Sequence, residues 1–378
     1  MISMLEDKTP TVVISQLPPP THGSTVMTKV LLDTLVELQN NAHLVDRRFS
    51  STIDQVGKFQ WSKVSAAVHL VLRLTQTCYR LKPSKAIFFA TTRVPSFLVD
   101  WLLAETLNFF KIPTVLYLHS QGFRDLRDRN PLFRTAARRL FSNASRVVCL
   151  SPRLYDDVSS LVEKEKVTFV ANALLSEPNF PDQGKAEFAA QQRRVLFLSN
   201  LLPEKGIDTF VDLAIKYCHD SLDTVFDIVG PATYEFQIEK YRERVRSAGY
   251  ERNIFFHGAQ AGEQKWNILN SSSLLVFPSM LNEAQPLTIV EAFACGVPVI
   301  AYANGGIPDM IDSGTNGVLV EPGDSAGLLQ AVKGALASTE WRLSAGRAAS
   351  HSYELNYSRS RFRDAWGELL GQIRVERR

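Results

Sequence analysis

The stretch FPSMLNEAQPLTIVEAFACGVPVIAYANGG occupies residues Phe277–Gly306. A strand is predicted to end near Pro278, and a short helix to begin close to Pro286, because proline suits a first helical position. The helix is expected to stop at Gly296, and Pro298 prevents its continuation. The stretch therefore predicts a strand, a polar loop, a short helix and a second apolar strand in succession, which is the repeating pattern of an α/β sheet.

The same alternation extends in both directions from this stretch. The run TVVISQL at Thr11–Leu17 predicts a strand, and Val26–Leu38 carries one apolar face at helical spacing. Near-continuous apolar strands separated by helices indicate parallel sheets covered on both faces. The other predicted strands are Ala86–Thr91, Thr114–His119, Arg146–Ser151, Val167–Asn172, Val195–Asn200, Val225–Gly230, Ile254–Gly258, Leu274–Pro278 and Pro298–Tyr302.

The alternation is interrupted once, at Ala173–Arg193, where Pro178, Pro181 and several polar residues indicate a linker. Two successive arrays of strands and helices predict an α/β fold of two doubly wound Rossmann-like domains facing a central cleft. We place the first domain at residues 1–178, the second at 179–355, and a C-terminal helix that packs back toward the first domain at 356–378.

Composition excludes several classes of protein. The 378 residues carry 42 Lys plus Arg against 39 Asp plus Glu, a formal charge of +3 that is too weak to indicate nucleic acid as the main partner. The four cysteines form no C-x-x-C pair, which argues for free thiols in a reducing compartment. No signal peptide or uninterrupted apolar run of about 18 residues is visible, so we expect a cytoplasmic protein.

A candidate anion site lies where the helix after Pro286 begins. The free N–H groups near Leu287 and Thr288 would point at a bound anion. Glu291 lies about one turn inside that helix, where a carboxylate could accept two hydrogen bonds from a vicinal diol. Glu283 precedes the helix and could reach whatever is attached beyond the phosphates. The competing interpretation is that Glu291 complements the helix dipole and Glu283 is a solvated loop residue.

Three further candidates follow other predicted strands. Lys205 precedes a helix and could neutralise a diphosphate, although for a Lys-Gly pair taken alone a solvated lysine is the better interpretation. Gly23, in the loop PPPTHGST, allows close approach of a ligand, but the loop lacks the full G-x-G-x-x-G pattern of a dinucleotide cofactor site. His119 ends the predicted strand TVLYLH; the alternative is a histidine that packs or caps the loop.

Taken together, these motifs resemble the family-4 class of retaining glycosyltransferases, which have the two-Rossmann GT-B fold. The most specific part of the resemblance is the order of four motifs along the chain. They are LSNLLPEKG, His257-Gly258, the pair Glu283 and Glu291 with seven residues between them, and NGVLVEPGD. The resemblance covers nearly the whole chain and is strongest from Val195 to Pro322. It implies transfer of a sugar from a nucleotide-sugar donor, UDP- or GDP-linked, to a glycan or lipid-linked acceptor in polysaccharide or glycoconjugate biosynthesis. It also implies that no metal ion or other cofactor is required.

The resemblance implies a role for each candidate residue. Glu291 resembles the glutamate that holds the nucleotide ribose, and Glu283 the glutamate that faces the donor sugar. Lys205 resembles the diphosphate-binding lysine. His119 resembles the histidine beside the donor sugar, and Gly23 the glycine near the diphosphate and the acceptor.

Other positions complete or depart from the family's donor site. We expect the N–H groups of Leu287 and Thr288 to bind phosphate, Pro286 and Asn200 to belong to the donor site, and the strand ends at Gly230 and Gly258 to contact the base. Where the family often carries Gly-Arg, this chain has Ser199-Asn200, which removes one cation from the diphosphate site. The first-domain loop also has one glycine where two are common, which leaves the acceptor-side geometry open.

Three other functions remain open at this point. Glu283 and Glu291 could act as an acid/base pair on a glycosidic bond, as in a hydrolase. The same fold could carry a nucleotide-sugar epimerase. A transferase-like binding subunit without activity is the third alternative, and Asn200 in place of arginine is its best support.

Seven arginines lie between Arg124 and Arg146. Within PLFRTAARRLFSN, an apolar helical face is predicted from Leu132, Phe133, Ala136, Ala137, Leu140 and Phe141. One interpretation is a surface helix packed on the first sheet with its arginines in water. The other is contact with anionic lipid or a lipid-diphosphate acceptor, which would place the enzyme at the inner face of the plasma membrane.

Overall fold

The structure is a computed structural model and describes residues 9–19, 21–47, 61–178, 191–232 and 235–373. It divides the chain into unit 1, which contains Met1–Leu175 and Arg359–Arg378, and unit 2, which contains Ser176–Ser358. The sequence places the boundaries at residues 178 and 355, each three positions from these divisions.

Unit 1 is built on a six-stranded parallel sheet with the order β2-β1-β3-β4-β5-β6. Every residue of β1 and β4 is buried, as expected of parallel strands that are covered on both faces. The strands are β1 (Thr11–Ser15), β2 (Ala42–Asp46), β3 (Lys85–Ala90), β4 (Thr114–Leu118), β5 (Arg146–Cys149) and β6 (Val167–Phe169).

Helices connect successive strands of this sheet. They are α1 (Gly23–Glu37), α2 (Trp61–Leu81), α3 (Ser96–Phe109), α4 (Phe123–Asp128) and α5 (Pro131–Ser142). Helix α2 packs against α3, and α3 packs against α5. The connections from β2 to β3, from β3 to β4 and from β4 to β5 all run in one direction along the sheet. Because such crossovers are right-handed, they place α2, α3 and α5 side by side on the same face.

Helix α5 confirms most of the amphipathic face predicted for the arginine-rich segment. Asn130 begins it by accepting a hydrogen bond from the N–H of Phe133 at 3.0 Å, and the predicted apolar residues from Phe133 to Phe141 are buried. The prediction is wrong for Leu132, whose side chain is exposed, because it lies at the edge of the face that packs on the sheet.

Unit 2 repeats the architecture with the strand order β12-β11-β10-β7-β8-β9, again all parallel. Its strands are β7 (Arg194–Leu198), β8 (Val225–Val229), β9 (Ile254–Gly258), β10 (Leu274–Phe277), β11 (Val299–Tyr302) and β12 (Gly317–Val320). Its helices are α6 (Ile207–Asp220), α7 (Glu235–Ala248), α8 (Gly262–Ser271), α9 (Leu287–Ala294), α10 (Ser325–Ala337) and α11 (Thr339–Asn356).

The strand order of unit 2 reverses between β7 and β10. The chain builds outward from β7 through β8 to β9, and then returns to lay β10 on the other side of β7. The connections after β7 and β10 therefore leave the sheet in opposite directions and open a crevice at their carboxyl ends. Ligands of doubly wound sheets bind at this switch point.

The last helix, α12 (Arg359–Gln372), belongs to unit 1. Trp366 is fully buried, with its ring centroid 5.1 Å from that of Tyr117. At the two ends of the helix, Arg359 pairs with Glu37 at 2.7 Å, and Lys85 donates a hydrogen bond to the carbonyl of Leu370 at 3.0 Å. The C-terminal segment is thus an integral part of the first unit.

Candidate functional site

Lys205 and Glu283 meet at the switch point of unit 2. Lys205 ends a 3-10 turn that follows β7, and Glu283 lies in the loop after β10. The Nζ of Lys205 forms an ion pair with Oε1 of Glu283. The same oxygen accepts a hydrogen bond from Oγ of Ser279 at 2.9 Å. Two residues that the sequence separates by 78 positions, and that sequence analysis singled out independently, are therefore in direct contact.

Gly206 allows the loops after β7 and β10 to approach each other. Its φ is +87°, and a Cβ at this position would lie 2.2 Å from the carbonyl oxygen of Pro278. Next to it, the N–H of Met280 donates to the carbonyl of Glu204 at 2.9 Å. Any side chain at residue 206 would push the two loops apart. It would thereby also separate Lys205 from Glu283.

Helix α9 confirms the predicted helix and corrects its start. Pro286 is the capping residue with ψ at 122°, so the helix begins at Leu287 and not at the proline. The first turn closes with the N–H of Ile289 on the carbonyl of Pro286 at 3.1 Å. The N–H groups of Leu287 and Thr288 precede this bond, and both residues are partly exposed. They are donors suited to an anion.

Glu291 is held by a lysine that sequence analysis missed. Nζ of Lys265, on α8, lies 2.6 Å from Oε1 of Glu291, and both side chains are mostly buried. The partners are 26 residues apart, on different helices. No local pattern marks Lys265, because its contact depends on how α8 and α9 lie over the sheet. One oxygen of Glu291 is thereby fixed, while the carboxylate keeps a second oxygen that could contact a ligand.

Three further predicted residues follow neighbouring strands at the same edge of the sheet. Gly230 directly follows β8 with φ at +152°, and a Cβ there would lie 1.7 Å from the carbonyl oxygen of Ser199. Its N–H donates to the carbonyl of Gly258 at 2.9 Å. Gly258 has φ at +69° with open space around it, and Asn200, after β7, is exposed. The backbone is thus accessible at the position expected to contact the base.

A buried charge network lies beneath this edge. Asp227 in β8 is completely buried and accepts hydrogen bonds from Arg194 at 2.9 Å and from Nε2 of His257 at 2.7 Å. A buried carboxylate without such partners would be strongly destabilising. The histidine of the His257-Gly258 motif therefore links β9 to β8, and its ring contacts protein.

The predicted residues of unit 1 lie at the carboxyl ends of β1 and β4. Gly23 is the first residue of α1, and a Cβ there would meet nothing within 4 Å. His119 packs against the rings of Phe89 and Tyr117, with centroids 5.0 and 4.1 Å away. Burial lowers the pKa of His119 to about 3, so the imidazole is neutral at pH 7. Its buried Nε2 has no hydrogen-bond partner within the described ranges.

The described residues contain no group of three or more His, Cys, Asp or Glu side chains that could hold a metal ion. None of their helices is both long enough and apolar enough to cross a membrane.

Comparisons with known proteins find similarity to glycosyltransferases. Residues 180–352 match the family model described as glycosyl transferases group 1. The phosphatidylinositol N-acetylglucosaminyltransferase gpi3 subunit of Schizosaccharomyces pombe is 26% identical over 46% of this chain and 37% of that protein. The 2-deoxystreptamine N-acetyl-D-glucosaminyltransferase of Streptomyces fradiae is 28% identical over 57% of this chain and 52% of that protein. The chain thus spans about a third to a half of these relatives.

Among solved structures, sucrose-phosphate synthase from Thermosynechococcus elongatus superposes with a TM-score of 0.76 at 17% identity, over 96% of this chain and 98% of that one. The chain forms two parallel six-stranded sheets with flanking helices. Together with this superposition, that arrangement establishes the predicted GT-B architecture. The family match and the fold together support a glycosyltransferase of the GT-B class.

Proposed function

We propose that this protein is a retaining glycosyltransferase that moves a sugar from a nucleotide-sugar donor to a glycan or lipid-linked acceptor in glycan biosynthesis. The observation that carries the proposal is the contact between Lys205 and Glu283 at the switch point of unit 2. A cation and a carboxylate meet there, at the edge of the sheet where ligands of this fold bind.

Unit 2 is the donor side in this proposal. Lys205 and the N–H groups of Leu287 and Thr288 bind the diphosphate, since a point charge and free helix N–H groups suit phosphate oxygens. The free oxygen of Glu291 accepts hydrogen bonds from the ribose. The open backbone at Gly258 contacts the base. Pro286, Gly230 and Asn200 complete the donor site.

Unit 1 is the acceptor side. Gly23 begins α1 at the end of β1, where the order of the first sheet also reverses, and its surroundings leave room for a ligand. We assign the neutral imidazole of His119 to a hydrogen bond with the donor sugar, because its Nε2 is buried and has no partner among the described residues. The neutral ring can take part in that bond without the cost of burying a second charge.

The reaction proposed is a front-face displacement. The bond between the anomeric carbon and the diphosphate breaks, a bond from the acceptor oxygen forms on the same face, and the hydroxyl proton passes to the leaving phosphate oxygen. Lys205 stabilises the charge that develops on the diphosphate, and Glu283 faces the sugar. The protein acts by positioning the substrates and by electrostatic stabilisation, without a metal ion or other cofactor.

The contacts of the two glutamates argue against the hydrolase alternative. Glu283 contacts Lys205 and Glu291 contacts Lys265, so the two carboxylates are held by different lysines. A glycosidase needs its two carboxyl groups to face each other across one glycosidic bond. Asn200 in place of arginine favours an inactive subunit, but the presence of Lys205 and of both glutamates favours a transferase.

A thermal-shift panel of UDP, GDP, ADP and their sugars tests the proposal. A ligand present at about 100 times its dissociation constant stabilises the folded state by about 2.7 kcal/mol, which is enough to rank the nucleotides. N-acetylglucosamine donors belong in the panel because both relatives above are named for that sugar. The donor that binds is then incubated with acceptors, and the anomeric configuration of the product is read by NMR.

Each alternative function has its own outcome in this experiment. Retention of configuration supports the proposed mechanism, and inversion contradicts it. Isomerised donor in the absence of acceptor identifies an epimerase. Nucleotide binding without turnover on any acceptor identifies a binding subunit, and cleavage of a glycoside without nucleotide identifies a hydrolase.

We further propose that the enzyme works in the cytoplasm, at the inner face of the plasma membrane, where a lipid-linked acceptor would be presented. The sequence-based candidate for the membrane-facing surface is the Arg124–Arg146 segment. Its contacts in the structure leave only part of this segment available for that role.

A further inference from the structure

Most arginines of the Arg124–Arg146 segment are already engaged within unit 1. Arg124 donates to the carbonyl of Asp156, Arg127 pairs with Asp128 at 2.6 Å, and Arg139 pairs with Glu105 at 2.7 Å. Arg129 lies over the ring of Phe133, 5.6 Å from its centroid. Arg138, by contrast, is exposed on α5 and forms no ion pair within the described part of the chain.

Exposed apolar side chains are concentrated on the face that α2, α3 and α5 form. Seven of the sixteen large apolar side chains that are exposed among the described residues lie on these three helices. Tyr79 on α2 is 75% exposed and Phe109 on α3 is 81% exposed. Concentrations of this kind mark interaction surfaces. The other members are Val68, Leu72, Leu81, Leu102 and Leu132.

On α2 these side chains form a stripe with a basic border. Val68, Leu72 and Tyr79 recur at helical spacings of four and seven and so lie on one side of the helix. Arg73 and Arg80 each follow an apolar member of the stripe by one residue, which places them about 100° around the helix axis. Both arginines are exposed, and neither forms an ion pair with a described residue.

Negative charge is almost absent from this face. Helices α2 and α5 contain no Asp or Glu. On α3, Asp100 is completely buried beside Arg47, and Glu105 is neutralised by Arg139. The three helices therefore present apolar side chains and unpaired arginines, without an unpaired exposed carboxylate among their described side chains.

The outer helices of unit 2 show the opposite arrangement. On α7, Arg242 pairs with Glu239 at 2.7 Å, and Arg246 pairs with Glu243. On α10, Lys333 pairs with Asp220, from α6, at 2.5 Å. These three basic residues of unit 2 are thus paired with carboxylates, whereas Arg73, Arg80 and Arg138 of unit 1 form no ion pair with a described residue.

We infer that the α2–α3–α5 face is a docking surface for an anionic lipid bilayer. A helix with an apolar stripe and a basic border lies in the membrane interface, where its apolar side chains enter the acyl boundary and its cations meet lipid phosphates. A nucleic acid would satisfy the arginines and leave Val68, Leu72 and Leu102 in water. The inference rests on the proposed function in one respect, which is that docking would bring unit 1 to a lipid-linked acceptor.

Flotation of the full chain with vesicles tests the inference, using phosphatidylcholine alone and phosphatidylcholine mixed with phosphatidylglycerol. We expect binding to the anionic vesicles only. A variant that removes three cations from the face should bind roughly 100-fold more weakly, since each contributes about a factor of ten or less near an anionic surface. This variant is Arg73→Gln, Arg80→Gln, Arg138→Gln.

A matched variant changes the net charge by the same amount on unit 2. It is Arg242→Gln, Arg246→Gln, Lys333→Gln, and it should bind vesicles within a few-fold of the unaltered protein. Leu72→Ser combined with Phe109→Ser should also lose binding, although it leaves the charge unchanged. All of these side chains are exposed or partly exposed, so thermal melts of the variants should resemble that of the parent.

Several outcomes would overturn the inference. Absence of binding to anionic vesicles does so directly. An equal loss in both charge variants would show that only net charge matters. Self-association that the Leu72 and Phe109 changes abolish, with vesicle binding unaffected, would identify a contact between copies instead. The assay contains no nucleotide or acceptor, so its failure is distinct from failure of the proposed transferase activity, which the thermal-shift panel tests.

Discussion

Lys205 is the residue on which the proposed chemistry depends most. It contacts Glu283 in the structure, and the proposal assigns it the charge on the leaving diphosphate. We expect Lys205→Ala to lower kcat by roughly 100- to 1000-fold, as for the loss of one group that stabilises developing charge. Steady-state kinetics with the identified donor measure this effect. Lys216→Ala, at an exposed position on α6, is the control and should leave kcat unchanged. Equal rates for all three proteins would remove Lys205 from the mechanism.

We assign Lys265 a positioning role rather than a catalytic one. Its ion pair fixes one oxygen of Glu291 and so directs the carboxylate at the expected ribose. We expect Lys265→Met to raise KM for the donor several-fold with little change in kcat, because a contact to the ribose is made equally in the ground state and the transition state.

The conservative variant separates positioning from general stability. Lys265→Arg should recover most of the donor affinity, since it restores the cation beside Glu291. Because the pair is mostly buried, Lys265→Met should also lower the melting temperature, whereas Lys265→Arg should leave it close to that of the parent. A fall in kcat at unchanged KM would contradict the assignment.

His119 gives the protein a characteristic response to acid. Burial lowers its pKa from 6.5 to about 3, so the folded state holds a neutral ring while the unfolded chain binds a proton below pH 6.5. The stability that depends on the neutral ring is fully present above pH 6.5 and is lost as the pH falls toward 3. We expect the free energy of unfolding to fall less steeply with decreasing pH in His119→Gln than in the parent. Denaturant unfolding at several pH values measures this.

A second titrating group must be separated from this effect. Burial raises the pKa of Asp100 to about 6, so its protonation favours the folded state at acid pH and opposes the effect of His119. The pH dependence of stability is therefore compared between the parent, His119→Gln and a control variant, all of which retain Asp100. His351→Gln, at an exposed position, should follow the parent, and identical slopes for all three proteins would show that His119 is not the cause.

At the scale of elements, the site depends on two loops held together through Gly206. Gly206→Ala combines a positive φ with a clash against the carbonyl of Pro278. We expect it to weaken donor binding and to lower stability by more than the 1–2 kcal/mol or so that a left-handed alanine costs. Nucleotide titration and denaturant unfolding measure the two effects.

Gly249 provides a matched control for this substitution. Its φ is +81°, close to the +87° of Gly206, but a Cβ there meets nothing within 4 Å. Gly249→Ala should therefore show the cost of backbone strain alone and leave nucleotide affinity unchanged. If the two variants behaved alike, the approach of the loops would not matter to the site.

At the scale of the whole molecule, the proposal assigns the nucleotide to unit 2. Hydrogen exchange measured with and without the tightest-binding nucleotide should show protection in the loops that contain Lys205 and Glu283 and at the start of α9. These segments supply all the proposed phosphate contacts. Protection confined to the loops after β1 and β4 would instead place the nucleotide on unit 1 and contradict the assignment of the two units.

Local sequence patterns were sufficient to predict the α/β class and the positions of most elements. Apolar runs such as β1, β4 and β10 are buried on both faces, so their local composition is unambiguous. Strands β2 and β12 did not stand out in the sequence, because both are edge strands with partly exposed side chains. The helix at Leu287 and its end before Gly296 were also predictable, since proline and glycine act locally.

Only the tertiary structure decided which of the candidate residues meet. The order of the second sheet brings Lys205 to Glu283, and the packing of α8 beside α9 brings Lys265 to Glu291. The tertiary structure also decides which arginines are paired. Arg139 forms an ion pair with Glu105 on a neighbouring helix, whereas Arg138 contacts no carboxylate among the described residues. Propensity and periodicity act over a few residues, whereas these contacts join positions far apart in the chain, and the free energy that fixes them comes from packing of the whole fold.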